Sequence, residues 1–192
     1  TYFAIDAEFS IARLYIVKEE YEKARTQLKK IKNSYSKSEA ICAEALFLTG
    51  NSYEIENKWD SALTQYKKII KEYPLTIKGM EIPIYIAQHY KIKYQPDKMI
   101  AAYQEAIAHY KTLVSKYTNS PLSFNLDSLI TQCYVEMKDW QNAINAFNNI
   151  IETYKAKVNL DGILMQIALI YDRELKDKVK AKSYWEIVRT ID

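Results

Sequence analysis

Apolar side chains recur along this chain at intervals of three and four, and the same short pattern returns five times. After Ala62 come Tyr66, Ile69, Ile70 and Tyr73, at +4, +7, +8 and +11. From Ala106 the same steps reach Tyr110, Leu113, Val114 and Tyr117, and from Ala143 they reach Phe147, Ile150, Ile151 and Tyr154. Ala24 leads to Leu28, Ile31 and Tyr35, with Lys32 as a polar intruder. Ala181 leads to Trp185 and Val188 before the pattern decays. These steps place the named side chains on one stripe of an α-helix. Five copies make an internal repeat.

A second helix is predicted before each anchor alanine. Tyr15, Tyr53 and Tyr134 stand nine residues before Ala24, Ala62 and Ala143, and Tyr21, Trp59, Tyr103 and Trp140 stand three before their anchors. Each repeat therefore reads as a helix A, a tight turn and a helix B that opens near an aromatic residue. The anchors are 38, 44, 37 and 38 residues apart. The second spacing is long because Ala106 follows Tyr90 by 16 residues, and seven extra residues, roughly two helical turns, keep the stripe in phase. That helix B is expected to run from about Pro96 to Tyr117.

Turn chemistry marks the ends. Ser36-Lys37-Ser38-Glu39 reads as a capping box opening the second helix A. Tyr73-Pro74 closes the second helix B. Ser120-Pro121 is an N-cap with proline in the first helical position, and Asp139 can cap the helix after it. Pro83 falls inside a helix expected to start near Thr76, where it should kink it. Trp59 and Trp140 share one place in the frame and are expected to be largely buried.

Composition removes alternatives. Three glycines and four prolines in 192 residues argue against a turn-rich sandwich or barrel and against a glycine-cradled phosphate site. Lys+Arg 27 against Asp+Glu 24 gives +3, with the signs interspersed and no basic stripe of the kind nucleic-acid binders carry. Apolar runs are too short to span a bilayer. Cys42 and Cys133, without metal-ligand spacing, read as small buried hydrophobes. His89 and His109 are read as exposed or capped helix residues. Lys176, Lys178, Lys180 and Lys182 read as a solvated face. No catalytic constellation, cofactor site or metal site is expected, and the chain is not read as an enzyme. Its start at Thr1 is what an excised piece or mature segment would show.

Leu46, Gly50 and Tyr53 on helix A, then Trp59, Ala62, Tyr66 and Pro74 on helix B, resemble the tetratricopeptide repeat (TPR). The resemblance covers nearly the whole chain and implies an all-α fold, a right-handed α-solenoid of about five helix pairs forming a single domain over 1–192. The repeats fall at about 5–36, 37–75, 76–119, 120–157 and 158–192. The helix B endings at 69–74 and 113–117 are also similar to bacterial envelope members, namely the outer-membrane assembly lipoprotein and the periplasmic Tol-Pal coordinator. A periplasmic location or one at the outer-membrane periphery is implied by that likeness alone.

The resemblance further implies a non-enzymatic scaffold for protein–protein interaction that binds a partner peptide or protein on the concave face, lined by A helices. Carried over position by position, the groove holds Phe9 and Arg13, then Phe47, Asn51 and Glu54, then Ile84, Gln88 and Lys91, and then Gln132. Arg13, Asn51, Gln88 and Gln132 would form a polar row for a peptide backbone, and Phe9, Phe47 and Ile84 would take apolar side chains. The basic clamp that some members use for a C-terminal carboxylate is not reproduced. The alternative is an architectural or oligomerising segment of a longer array, without its own groove, associating through the terminal repeats.

Overall fold

A computed structural model describes residues 2–118, 120–154 and 160–190 of the chain. Among these residues all regular structure is helical. The expected repeat boundaries at 119, 157 and 192 lie outside the described residues. The chain divides into two compact units, Thr1–Gln95 and Pro96–Asp192.

The first unit holds α1 (Tyr2–Val17), α2 (Tyr21–Ser34), α3 (Glu39–Ile55), α4 (Trp59–Glu72) and α5 (Ile77–Ile92). Each helix packs on the next, and α3 also touches α1 and α5. One cluster of its core joins Phe9 and Ala12 of α1, Leu28 and Ile31 of α2, and Ala45 and Leu48 of α3. Leu28 and Ile31 are wholly buried, and each contributes about 1.5–3 kcal/mol. The second unit holds α6 (Pro96–Lys116), α7 (Pro121–Glu136), α8 (Trp140–Tyr154) and α9 (Asp161–Leu169). A π-helical segment, Ile170–Glu174, leads from α9 towards α10 (Lys178–Thr190). Ala143, Ile144, Ile167, Ile170, Tyr171 and Ala181 form a core cluster there.

The five anchors share one environment. Ala24, Ala62 and Ala143 have no exposed surface, and Ala106 and Ala181 have 2%. Burial this complete at all five places fits a small side chain where helix B packs on helix A. Gly50 shows the same constraint from the other side, since a Cβ there would lie 2.4 Å from the Tyr66 ring.

The turns repeat as strictly as the helices. Glu19, Asn57, Tyr94, Lys138 and Lys176 all take positive φ, between 54° and 60°. In the first four turns the next residue donates its N–H to a tyrosine carbonyl five back: Glu20 to Tyr15, Lys58 to Tyr53, Gln95 to Tyr90 and Asp139 to Tyr134. The left-handed residue itself donates three back, as in Asn57 to Glu54 and Lys138 to Val135. This is the Schellman closure, which satisfies carbonyls left open at a helix end. The last turn holds one more residue, so Asp177 donates to Tyr171 six back. The π-helical segment just before it absorbs that insertion without rotating the frame.

The caps differ in detail from the sequence reading. Ser38, not Ser36, is the N-cap of α3, and its side chain makes no capping bond. Thr76 caps α5 by accepting from Gly79 N–H at 3.0 Å. Ser120 caps α7 with Pro121 in the first turn, and Asp139 accepts from Asn142 N–H at 3.3 Å. Helix α5 continues through Pro83 as one element, with that residue buried. Trp59 and Trp140 are half-buried, less than expected, because each lies at the margin of its packed stripe.

Candidate functional site

The A helices of the first unit present the residues expected to meet a partner, and packing sorts them. Phe9 and Ile84 are only 5% exposed, so these two expected groove positions are core residues that offer a partner almost no surface. Arg13 remains on the surface and pairs with Glu44 at 2.9 Å. Phe47 is half-buried, edge-on to Tyr85 at 6.0 Å, with Lys78 Nζ 4.4 Å from its ring centre. Asn51 and Gln88 are partly exposed, and neither side chain makes a hydrogen bond among the described residues. Lys91 is exposed at the end of α5. Gln132 is exposed on α7 of the second unit.

Glu54 is committed to the fold. One carboxylate oxygen accepts from Tyr66 Oη at 2.9 Å and Tyr85 Oη at 2.8 Å, and the other lies 2.7 Å from His89 Nδ1. His89 stacks on Trp59 with 3.3 Å between ring centres, and Trp59 Nε1 donates to Tyr90 Oη at 3.2 Å. These contacts tie α3, α4 and α5 together. Burial pushes the Tyr66 phenol far above its ordinary range and Tyr85 up to about 12, with Glu54 adding to both. Both phenols therefore stay protonated and donate. His89 is partly buried rather than exposed, with its ring held by Glu54 and Trp59. His109 is half-buried, and burial alone lowers its pKa.

Arg25 is a buried cation that the sequence pattern did not single out. It is 8% exposed, bonds Ser52 Oγ at 3.3 Å, pairs with Glu22 and Glu56, and lies 4.3 Å from the Tyr53 ring centre. Mainly the hydrogen bond from Lys58, helped by Arg25, holds the Glu56 carboxyl below the ordinary range against the opposing effect of burial. The signal was a charged residue directly after the anchor Ala24, at the edge of the buried stripe. Cys42 and Cys133 are buried free thiols, as expected, and burial raises Cys133 to about 12.

A trough lies in the second unit, on a face the resemblance did not indicate. A cavity of about 340 Å³ is bounded by Lys111, Val114, Ser115 and Thr118 of α6 and its end, by Asp127, Ile130 and Tyr134 of α7, and by Asn142, Asn145, Ala146 and Asn149 of α8. A second hollow of about 230 Å³ shares Val114, Thr118, Asp127 and Asn149 and continues to Thr153 and Tyr154. Tyr154 Oη donates to Asp127 Oδ2 at 2.7 Å, and Lys111 Nζ donates to Tyr134 Oη at 3.3 Å. Gln132 stands on another side of α7 from Ile130 and Tyr134, because a two-residue step turns about 200° around a helix. The asparagine-rich stretch 142–149 was the available sign of this trough.

The tetratricopeptide repeat profile matches residues 6–38, 44–76 and 129–156. The pairs with the lengthened α6 and the π-helical insertion fall outside these segments, as their altered spacing requires. No curated protein matches the chain. Among solved structures, the nearly identical TPR-like repeats of a kinesin light chain from Podosopora anserina superpose with a TM-score of 0.53 at 13% identity, covering 98% of this chain and 94% of that one. BtubC (BKLC) from P. vanneervenii gives 0.54 at 17% identity, covering 95% and 78%. At such identities the likeness speaks for the fold alone. Anchors, closures and matched segments agree: residues 6–38, 44–76 and 129–156 are tetratricopeptide repeats, within an all-α fold of TPR-like helical hairpins.

Proposed function

We propose that this chain is a non-enzymatic protein-interaction scaffold that holds a partner peptide on the A-helix face of its first unit. One observation carries the reading. Asn51 and Gln88 occupy the same place in successive repeats, two residues before the tyrosine of the closing turn, and both amides are partly exposed with no side-chain hydrogen bond among the described residues. A side-chain amide sets N–H donors beside a carbonyl acceptor, so it can pair with both the C=O and the N–H of a peptide backbone. Arg13 holds that place in the first repeat, and Gln132 holds it in the second unit. Phe47 offers the remaining apolar surface, with Lys91 at the end of α5. Phe9, Ile84 and Glu54 leave the proposed site because the fold uses them.

The test is capture of partners by the full chain, comparing wild type with Asn51→Ala/Gln88→Ala. The double variant should recover markedly less of the same proteins at an unchanged melting temperature. Equal recovery refutes the groove. The helix B endings support a place in bacterial envelope assembly, and recovery of the protein solely from the cytosol on cell fractionation would exclude it. An architectural role is a second reading, favoured by Phe3, Val17 and Val179, which are 89%, 78% and 82% exposed on the first and last helices. Association in sedimentation velocity that is lost in Val17→Ser/Val179→Ser would support it, and a monomer at all concentrations would refute it.

A further inference from the structure

We propose that the trough between α6, α7 and α8 is a second binding site, for an extended polypeptide segment with an aliphatic side chain between an acidic and a basic one. This site is separate from the A-helix groove and does not rest on it.

The first support is a cost that the repeat does not require. Asn142, Asn145 and Asn149 lie on one side of α8, and asparagine is a poor helix former. The same three frame positions hold Lys23, Thr26 and Lys30 in α2 and Ser61, Thr64 and Lys68 in α4. Hairpin packing is therefore indifferent to asparagine there. The second support is unused hydrogen-bonding capacity. Asn142 donates to Asp139 at 2.8 Å, which leaves its carbonyl oxygen open, and Asn145 accepts from Gln141 at 3.2 Å, which leaves its amino group open. Asn149 makes no side-chain hydrogen bond among the described residues. A row of such groups at helical spacing matches the alternating C=O and N–H of an extended chain.

The floor and the ends narrow the ligand further. Val114 and Ala146 provide an apolar seat between the amides, with Ile130 buried at its base. Among the described residues, Lys111 and Asp127 are the charged ones lining the trough. Lys111 sits at the Tyr134 and Asn142 end. Asp127 sits where the second hollow opens towards Tyr154, with only its Oδ2 engaged by that phenol. From Lys111 to Thr118 is about 10 Å along α6, which an extended chain spans in about three residues. An acidic group near Lys111 and a basic group near Asp127 thus fit one short segment with an aliphatic residue between them. A neutral sugar could use the amides and hydroxyls but would leave both charges idle.

The test uses the isotope-labelled full chain and three acetylated, amidated pentapeptides: Asp-Ser-Leu-Ser-Lys, its reverse Lys-Ser-Leu-Ser-Asp, and uncharged Ser-Ser-Leu-Ser-Ser. NMR titration reads the side-chain amides of Asn142, Asn145 and Asn149 directly. One charged order should saturate these signals at least about tenfold more tightly than the uncharged peptide. Asn145→Ala/Asn149→Ala should weaken it at least about tenfold. Alanine favours the helix, so a circular dichroism melt should show this variant folded. Asn51→Ala/Gln88→Ala should leave the titration unchanged, which separates failure here from failure of the A-helix groove. The proposal is overturned if neither charged peptide moves these signals by about 1 mM, if Asn145→Ala/Asn149→Ala binds equally well, or if maltopentaose binds where the peptides do not.

Discussion

Replacing Glu54 by alanine separates a binding residue from a structural one. On the surface of a groove the change would spare stability. In the structure, the carboxylate holds Tyr66, Tyr85 and His89 from two neighbouring helices. Tyr66 has no exposed surface, so its hydroxyl would be left buried without its charged acceptor, at about 1–3 kcal/mol. Tyr85 and His89 reach partial exposure and can recover water, so each loses only a net bond, about 0.5–1.5 kcal/mol. Allowing for coupling among the three, the loss should be about 2–5 kcal/mol, a large share of the stability of a small domain. Urea unfolding followed by circular dichroism measures it, and the slope should stay near the wild-type value. A double-mutant cycle sharpens the result. Tyr66→Phe should cost about 1.5–3 kcal/mol in the wild type, where it removes a bond to a charged group. In Glu54→Ala it should be neutral or stabilising, because it removes the stranded hydroxyl. A loss below about 0.5 kcal/mol for Glu54→Ala, or an equal cost of Tyr66→Phe in both backgrounds, would refute the reasoning.

Gly50→Ala should destabilise by about 1–3 kcal/mol although alanine favours helices, since its methyl would meet a Tyr66 ring pinned by Glu54; thermal melts decide the sign. Lys138→Gly should stabilise by about 0.5–1 kcal/mol by relieving a left-handed lysine, while Asn57→Gly should change little because asparagine tolerates that conformation. Glu56 has a depressed folded-state pKa, so its contribution is present above the unfolded value, near 4.3, and is lost as pH falls through the folded value. Melting temperatures between pH 3 and 7 should therefore fall less steeply at the acid end in Glu56→Gln. Tyr85 and Tyr154 are both raised to about 12, so their contribution is present below the unfolded value, near 10, and is lost as pH rises through 12. Phenolate absorbance of the folded chain should lag behind that of the urea-unfolded chain over this range.

Periodicity alone determined the helices, their order, the five anchors and the lengthened α6, because a packing stripe must repeat every three or four residues wherever it is buried. It also placed the turns, since a break between two helical stripes has few solutions. What it left open were the partners of polar residues at the edges of those stripes. Glu54, His89 and Arg25 look solvent-facing in the pattern, yet neighbouring helices bring phenols, a tryptophan ring and carboxylates against them. Phe9 and Ile84 stand at positions that carry ligand contacts in related repeats, but here adjacent side chains close over them. The asparagine-rich stretch 142–149 marked one wall of the trough but not the trough itself, for the same reason: its walls come from three helices, and only their packing sets 111–118, 127–134 and 142–149 side by side. Stripe spacing is a property of one helix, whereas the fate of a polar side chain depends on what another helix places beside it.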